Sequence, residues 1–338
     1  MFLTWFMLVS AFAAFFLTWV LRRYALHRSL IDVPNSRSSH SVPTPRGGGV
    51  AIVLSFLTAI FFLGIENELS WSFVYALSGA GAGVAVLGFL DDHGHIAARW
   101  RLLGHFIAAI WALFWLNGLP IIDFAYGSIN LGWIGHVLAA FYLVWMLNLY
   151  NFMDGIDGIA SVEAICVCLG ASLIYWVAGY ESLLAAPLLL VMAVAGFLYW
   201  NFPPARIFMG DAGSGFLGII LGLLSLQAAW FLPKLLWVWL ILLGVFIVDA
   251  SVTLLRRLVR GDKIYEAHRS HAYQFASRQY GSHLPVTLVV VAINMFWLLP
   301  MAACVALWDL DGSLALVLAY VPLVWLALKF HAGMLEKS

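Results

Sequence analysis

The stretch WIGHVLAAFYLVWMLNLYNFMDGIDG, residues 133–158, decides the fold. Its first two thirds are almost wholly apolar, and it ends with Asp154 and Asp157 set among glycines. Another apolar run starts directly after Gly158. Such a chain either buries long helices in a large core or places them in a bilayer, and composition separates the two. Of 338 residues, 64% are hydrophobic and only 10% charged, against about 25% charged in ordinary soluble domains. No soluble fold of this length can bury that much apolar surface. The apolar runs are about 18–22 residues long, enough to cross roughly 30 Å of hydrocarbon as helices. The weak alternating segments of about ten residues that mark a membrane barrel are absent.

Working outward from this stretch, the expected fold is an all-α polytopic membrane protein, one integral-membrane domain over residues 1–338. Eleven spans are expected, at residues 2–21, 47–65, 70–90, 101–117, 131–150, 159–178, 182–200, 214–231, 235–255, 285–307 and 312–331. The N-terminal run lacks a preceding basic region and reads as a retained span rather than a signal peptide. Of 17 Lys and Arg, 14 fall in or beside the first, third, fifth, seventh and ninth connections, and Lys329 and Lys337 lie at the C-terminus. The positive-inside rule then places the C-terminus and these loops in the cytoplasm and the N-terminus in the periplasm. Cys166, Cys168 and Cys304 sit inside apolar runs and read as small buried hydrophobes. Repeated halves are not apparent, which weakens a transporter built from inverted repeats.

The polar residues gather in five cytoplasmic loops. In the first, LIDVPNSRSSHSVPTPRGGG, the prolines impose an extended path, and Arg37, His40 and Arg46 are suited to anionic oxygens. In the second, Asp91 and Asp92 are adjacent at a span end. Neighbouring carboxylates repel, so one resists ionisation unless a cation or Arg lies close. That pattern suits a metal or proton-transfer site. In the third, Asn148, Asn151, Asp154 and Asp157 recur every three residues, and on a helix they would form one polar stripe. In the fourth, PPARIFMGDAGS, Arg206 and Asp211 precede a span whose N-terminus is a natural phosphate site. The fifth is rich in Arg and His, with Arg269, His268 and His271 in HRSHAYQ. Asp249 stands apart inside the ninth span, where a charge costs about 2.5–3.5 kcal/mol on insertion scales. It is expected either to function or to pair with an Arg.

Taken in order, DVPNSRSSH with PRGGG, FLDD at 89–92, NLYNFMDGIDG at 148–158, PARIFMGDAGS at 204–214 and HRSHAYQ at 268–274 resemble one family. It is the polyprenyl-phosphate N-acetylhexosamine-1-phosphate transferases, which include the MraY and WecA enzymes. The resemblance implies transfer of a sugar 1-phosphate from a UDP-N-acetylhexosamine to undecaprenyl phosphate, releasing UMP, with Mg²⁺ or Mn²⁺ required. It implies Asp211 as leading metal ligand with Asn151 beside it. Asp154 and Asp157 fall to the nucleotide and metal-bound diphosphate, and Asp91 and Asp92 to activation of the lipid phosphate. Phe208 matches the aromatic that stacks on uracil, His40 a basic first-loop position, and His268 and His271 diphosphate ligands. Asn148, Arg206 and Arg269 are further substrate-binding candidates.

Ser270 stands where WecA-like members carry a third His, which separates this chain from the muramyl-pentapeptide subgroup. It points instead to initiators of O-antigen and related surface glycans using GlcNAc or a 6-deoxy sugar such as FucNAc or QuiNAc. The expected partners are the two substrates and the lipid bilayer, with a homodimer as a candidate assembly and no nucleic acid. The expected location is the bacterial cytoplasmic membrane. The rival reading is a transporter or channel that couples ions through buried carboxylates.

Overall fold

A computed structural model describes residues 2–28, 30–34, 39, 42–94, 96–124, 127–262 and 269–335. The apolar runs form helices because in lipid each backbone N–H and C=O must find its partner within the chain. In order they are α1 (Phe2–His27), α2 (Val50–Ile65), α3 (Trp71–Gly94), α4 (Ala98–Leu116), α5 (Gly132–Met153), α6 (Ile159–Ala178) and α7 (Ala185–Asn201). Then follow α8 (Asp211–Phe231), α9 (Leu235–Leu242), α10 (Gly244–Arg260), α11 (Ala272–Tyr280), α12 (His283–Ile293), α13 (Leu299–Trp308) and α14 (Gly312–Lys329). Two short antiparallel ribbons interrupt the helices: β1 (Ile31–Asp32) with β2 (Thr44–Pro45), and β3 (Ile122–Phe124) with β4 (Gly127–Ile129).

The all-α membrane architecture expected from composition is the one found. Among the described residues, eight helices are long and apolar enough to cross a membrane, or nine if one bent pair counts as a span. Three expected spans differ. α2 has only 16 residues, and α4 carries Arg99, Arg101 and His105 in its first turns. The expected span at 235–255 is broken, with α9 and α10 meeting at 69° across Leu243. The chain over 283–308 continues through a π-helical segment, Asn294–Leu298.

α8 is the axis of the bundle, with 83% of its apolar window buried against 17% for α1. Its glycines explain how neighbours come so close. A Cβ on Gly218 would lie 2.7 Å from the Leu147 Cα of α5, and one on Gly88 of α3 would lie 2.6 Å from the Ala212 nitrogen of α8. Small residues permit this backbone contact, and in lipid packing of this kind drives helix association. α3 and α5 thereby deliver their ends to the start of α8.

Gly88→Ala is therefore expected to push the Asp211–Ala212 backbone aside and destabilise the protein by about 1–3 kcal/mol, the usual cost of overpacking. Gly83→Ala, where an added Cβ meets nothing within 4 Å, is expected to be neutral or stabilising. Thermal unfolding of both variants in detergent checks the contrast, and equal behaviour would refute the close-contact account.

Candidate active site

Asp91 and Asp92 lie in the last turn of α3, and the helix brings their carboxylates to different partners. Asp91 Oδ1 accepts from the Ile96 amide at 2.7 Å, and its other oxygen pairs with Arg101 of α4. Asp92 pairs with Arg46 from the first loop, while its Oδ2 accepts from the Asp211 amide at 3.1 Å. Asp211 is the first residue of α8. Its Oδ1 accepts from Asn151 Nδ2 at 3.1 Å, and the same amide reaches Ser214 Oγ at 2.9 Å. Arg46 and Arg101 stand 3.9 Å from the two oxygens of Asp211. Three polar side chains from three separate segments, Arg46, Arg101 and Asn151, thus converge on the Asp211 carboxylate.

Asp154 caps α5 beside this cluster. Burial, and then the Asp211 and Asp92 carboxylates, hold it well above the ordinary carboxylate range. Burial works against the charge on Arg46, yet Asp92, Asp211 and Asp32 together hold its pKa above the usual guanidinium value. Four carboxylates, Asp91, Asp92, Asp154 and Asp211, face two guanidinium groups. With all of them ionised, two negative charges are left over. That excess fits one divalent cation, and Mg²⁺ takes oxygen ligands from one or two carboxylates while keeping waters or phosphate oxygens. Among the described residues no group of three or more His, Cys, Asp or Glu side chains is arranged to hold a metal by itself. A cation here would draw ligands from its substrate.

Below the cluster a cavity of about 830 Å³ runs between α3, α4, α5 and α8. Asp91, Arg101, Asn148, Asn151 and Asp211 line its polar end, and side chains such as Leu87, Leu102, Phe106, Phe141 and Trp145 its apolar length. His105, one helical turn from Arg101, also lines it. The cavity suits an amphiphile with an anionic head and an apolar tail.

The other predicted residues fall elsewhere. The expected polar stripe is only half helical, because α5 ends at Met153. Asn148 lines the cavity and donates to the Val144 carbonyl at 2.7 Å. Asp157 is fastened away from the cluster. Its Oδ2 accepts from the Ala205 amide at 3.0 Å, and its Oδ1 lies 3.2 Å from His283 Nδ1, whose Nε2 reaches the Ser39 carbonyl at 2.9 Å. Phe208 is half-buried, and its backbone pairs with the first loop through the Pro45 carbonyl at 2.8 Å and the Gly48 amide at 2.9 Å. Arg206 is exposed and lies over Tyr199 and Trp200, on the rim of a separate pocket. Arg269 is half-buried, and its carbonyl accepts from Arg278 at 3.2 Å. His40 and His268 lie outside the described residues.

Among the described residues Asp249 pairs with no arginine, contrary to one of the expectations. It caps the N-terminus of α11 from within α10: Oδ1 accepts from the Ala272 amide at 2.9 Å and Thr253 Oγ1 at 3.1 Å, and Oδ2 from the Tyr273 amide at 3.0 Å. His271 Nδ1 lies 3.3 Å from Oδ1, and His271 is buried. Tyr273 then donates to the Phe152 carbonyl at 2.9 Å, one residue from Asn151. The fifth loop is thereby locked against the end of α5. Sequence reading missed Arg101, His105, Tyr273 and His283 as site-forming residues. The signal for the first two was present, an Arg and a His spaced i, i+4 at the start of an otherwise apolar helix.

Helix ends thus converge on a carboxylate–arginine cluster above a largely apolar cavity, within a chain of membrane-length apolar helices. The pattern of glycosyl transferase family 4 matches residues 74–229, so this part of the chain is similar to that family. A probable undecaprenyl-phosphate N-acetylglucosaminyl 1-phosphate transferase of Bacillus subtilis (strain 168) is 28% identical, covering 86% of this chain and 81% of the relative. The undecaprenyl-phosphate alpha-N-acetylglucosaminyl 1-phosphate transferase of Thermotoga maritima is 29% identical over 86% and 87%. A phospho-N-acetylmuramoyl-pentapeptide-transferase of Bacillus licheniformis is 28% identical over 74% and 81%. The apolar helices and these relatives make the chain a multi-pass protein of the bacterial cytoplasmic membrane.

Asp249→Asn is expected to loosen α11 without unfolding the bundle. Hydrogen bonds to a charged group contribute about 1.5–3 kcal/mol, so amide exchange over residues 272–280 is expected to rise roughly ten- to hundredfold through local opening. Hydrogen-exchange mass spectrometry of the purified variant reads this directly. Unchanged exchange would remove Asp249 as the anchor of the fifth loop.

Proposed function

We propose that this protein transfers a sugar 1-phosphate from a UDP-N-acetylhexosamine to undecaprenyl phosphate, giving the undecaprenyl-diphosphate sugar and UMP. The observation that carries the reading is the joint between the charged cluster and the apolar cavity at Asp91, Arg101, Asn151 and Asp211. A polyprenyl tail fits the apolar length, and its phosphate then meets Arg101 at the polar end. The names of the relatives support the reaction class. The active loops face the cytoplasm, where nucleotide sugars are made, in accord with the distribution of Lys and Arg.

The chemistry is a displacement at phosphorus. An oxygen of the lipid phosphate attacks the β-phosphorus of the donor, the bond from that phosphorus to the UMP oxygen breaks, and UMP leaves with the electron pair. The lipid phosphate is already a nucleophile, so no covalent enzyme adduct is needed. Arg101 and Arg46 orient the anionic groups and offset their mutual repulsion. Asp91 and Asp92, each ion-paired, serve by holding those arginines in place rather than by taking a proton. Asp211 and Asn151 would hold Mg²⁺ or Mn²⁺, with Asp154 beside them. When bound, the cation supplies charge neutralisation on the diphosphate. Phe208 provides the aromatic surface for uracil. Asp157 acts indirectly, by fixing the 204–206 turn, and His271 by fixing the fifth loop. The sugar we favour is GlcNAc or a 6-deoxy-N-acetylhexosamine, and the product starts a surface polysaccharide of the O-antigen kind.

Purified protein given undecaprenyl phosphate, Mg²⁺ and single UDP-N-acetylhexosamines is expected to release UMP only when lipid and metal are both present. Asp211→Asn is expected to lower the rate by about 10²-fold or more, the scale for losing one preorganised charge-stabilising group. UMP release that survives this substitution undiminished would reject the site. Ion or sugar flux through sealed vesicles without any UMP would instead support the transporter reading.

A further inference from the structure

A second pocket, of about 530 Å³, lies at the same end of the bundle and shares no lining residue with the large cavity. It is walled by Leu198, Tyr199, Phe202, Pro203, Pro204 and Arg206. α1 packs along α7 beside it. Phe15 of α1 sits 5.0 Å from Tyr199 and 5.3 Å from Trp200, and the Trp200 indole donates to the Phe15 carbonyl at 3.2 Å. The Arg206 guanidinium lies over both rings, 5.4 Å from Tyr199 and 5.7 Å from Trp200. Arg22 at the end of α1 donates through Nε to the Arg206 carbonyl at 3.1 Å. Arg23, next to it, lies over Trp19 at 4.3 Å. Among the described residues no carboxylate is within ion-pair distance of Arg22, Arg23 or Arg206.

We infer that this pocket binds the phosphodiester headgroup of an anionic phospholipid, with Arg22 and Arg206 as its cations. Three features select this occupant. A guanidinium lying over aromatic rings is held in place by them while its N–H edge stays available, the arrangement suited to a phosphate. No described carboxylate compensates the charge, and it stands at a helix end that the Lys and Arg distribution assigns to the anionic leaflet surface. The wall below the cations is apolar, and Tyr199 and Phe202 remain 57% and 40% exposed, so acyl chains can run along α7. The site also adjoins the proposed active site through a single turn. Ala205, next to Arg206, donates its amide to Asp157 at 3.0 Å, and Asp211 follows five residues after Arg206. A lipid bound here braces the turn between Asn201 and α8. The inference rests on the proposed function only in using undecaprenyl phosphate to fill the large cavity; the second pocket itself is tested by binding.

The test compares thermal unfolding in phosphatidylcholine vesicles with and without phosphatidylglycerol, with undecaprenyl phosphate saturating so that the large cavity is filled. The wild-type protein is expected to melt at higher temperature with phosphatidylglycerol. Arg22→Gln with Arg206→Gln is expected to lose most of that shift, whereas Arg22→Lys with Arg206→Lys, which keeps the charge, retains part of it. Native mass spectrometry of the single Arg206→Gln variant gives a reading even if the double variant does not fold, with at least a tenfold weaker retention of phosphatidylglycerol expected. An equal phosphatidylglycerol shift in wild type and the double Gln variant, or undiminished retention in the single variant, would overturn the site. A shift of the same size from soluble glycerol phosphate in phosphatidylcholine vesicles would overturn the lipid as its occupant.

Discussion

The first residue of α8 is the point on which the site depends. The Asp211 amide donates to Asp92, and its carboxylate accepts from Asn151 and stands near Arg46 and Arg101. Through that residue the ends of α3, α4 and α5 and the first loop are joined to the most buried helix of the bundle. The arrangement is costly unless each charge is answered, since a carboxylate near the bilayer that lacks a partner loses its hydration without return. The arginines therefore have two uses. They stabilise the carboxylates through ion pairs, and in the proposed reaction they would present cationic edges to a phosphate. Their positions follow from backbone packing. Gly88 lets α3 touch α8 closely enough for Asp92 to reach the Asp211 amide.

Two further carboxylates lie within the spans, and both answer irregular helix structure. Glu163 of α6 is fully buried and accepts from Asn294 at 2.7 Å, where the α12 segment turns π-helical. Asp249 takes the free amides at the start of α11. A helix break inside a membrane leaves N–H groups without carbonyls, and water is not there to meet them. The break between α9 and α10 and the entry of α11 are tolerated because polar side chains replace the missing partners. Intramembrane acids often mark transport pathways. Here Asp249 is accounted for by three donors, the Ala272 and Tyr273 amides and the Thr253 hydroxyl, which weakens the transporter reading more than any argument from composition.

The fold class was legible in the sequence because length and apolarity of each run are local properties. The 16-residue α2 and the break at Leu243 were not, since both depend on how neighbours pack and hide a short or bent helix. The cluster was half legible. The pair Asp91–Asp92 was recognisable from adjacency at a span end, and Asn151 beside Asp211 only through the family resemblance. Arg46 and Arg101 as their counter-charges were not, because those contacts join residues 46 and 10 positions apart in the chain. A three-residue spacing suggested one stripe from Asn148 to Asp157. α5 ends at Met153, however, so Asp157 turns away to the Ala205 amide and His283. Periodicity predicts a common face only while the helix lasts.

The site's position also constrains the order of events in the proposed reaction. The large cavity is lined mostly by apolar side chains, with Asp91, Arg101 and Asp211 among its polar lining residues. A polyprenyl phosphate reaching Arg101 must leave its tail among Leu102, Phe106 and Phe141, so the tail fixes the depth of the phosphate. The nucleotide sugar carries no such anchor, and its diphosphate must be held by charge alone. Before a cation binds, Asp154 is held neutral, yet Asp91, Asp92 and Asp211 still outnumber the two guanidinium groups and would repel that diphosphate. Charge balance therefore favours entry of the nucleotide sugar together with its divalent cation, while the lipid phosphate can bind beforehand at Arg101. The asymmetry follows from placing one substrate's site in lipid and the other's in water, with Asp211 at the boundary.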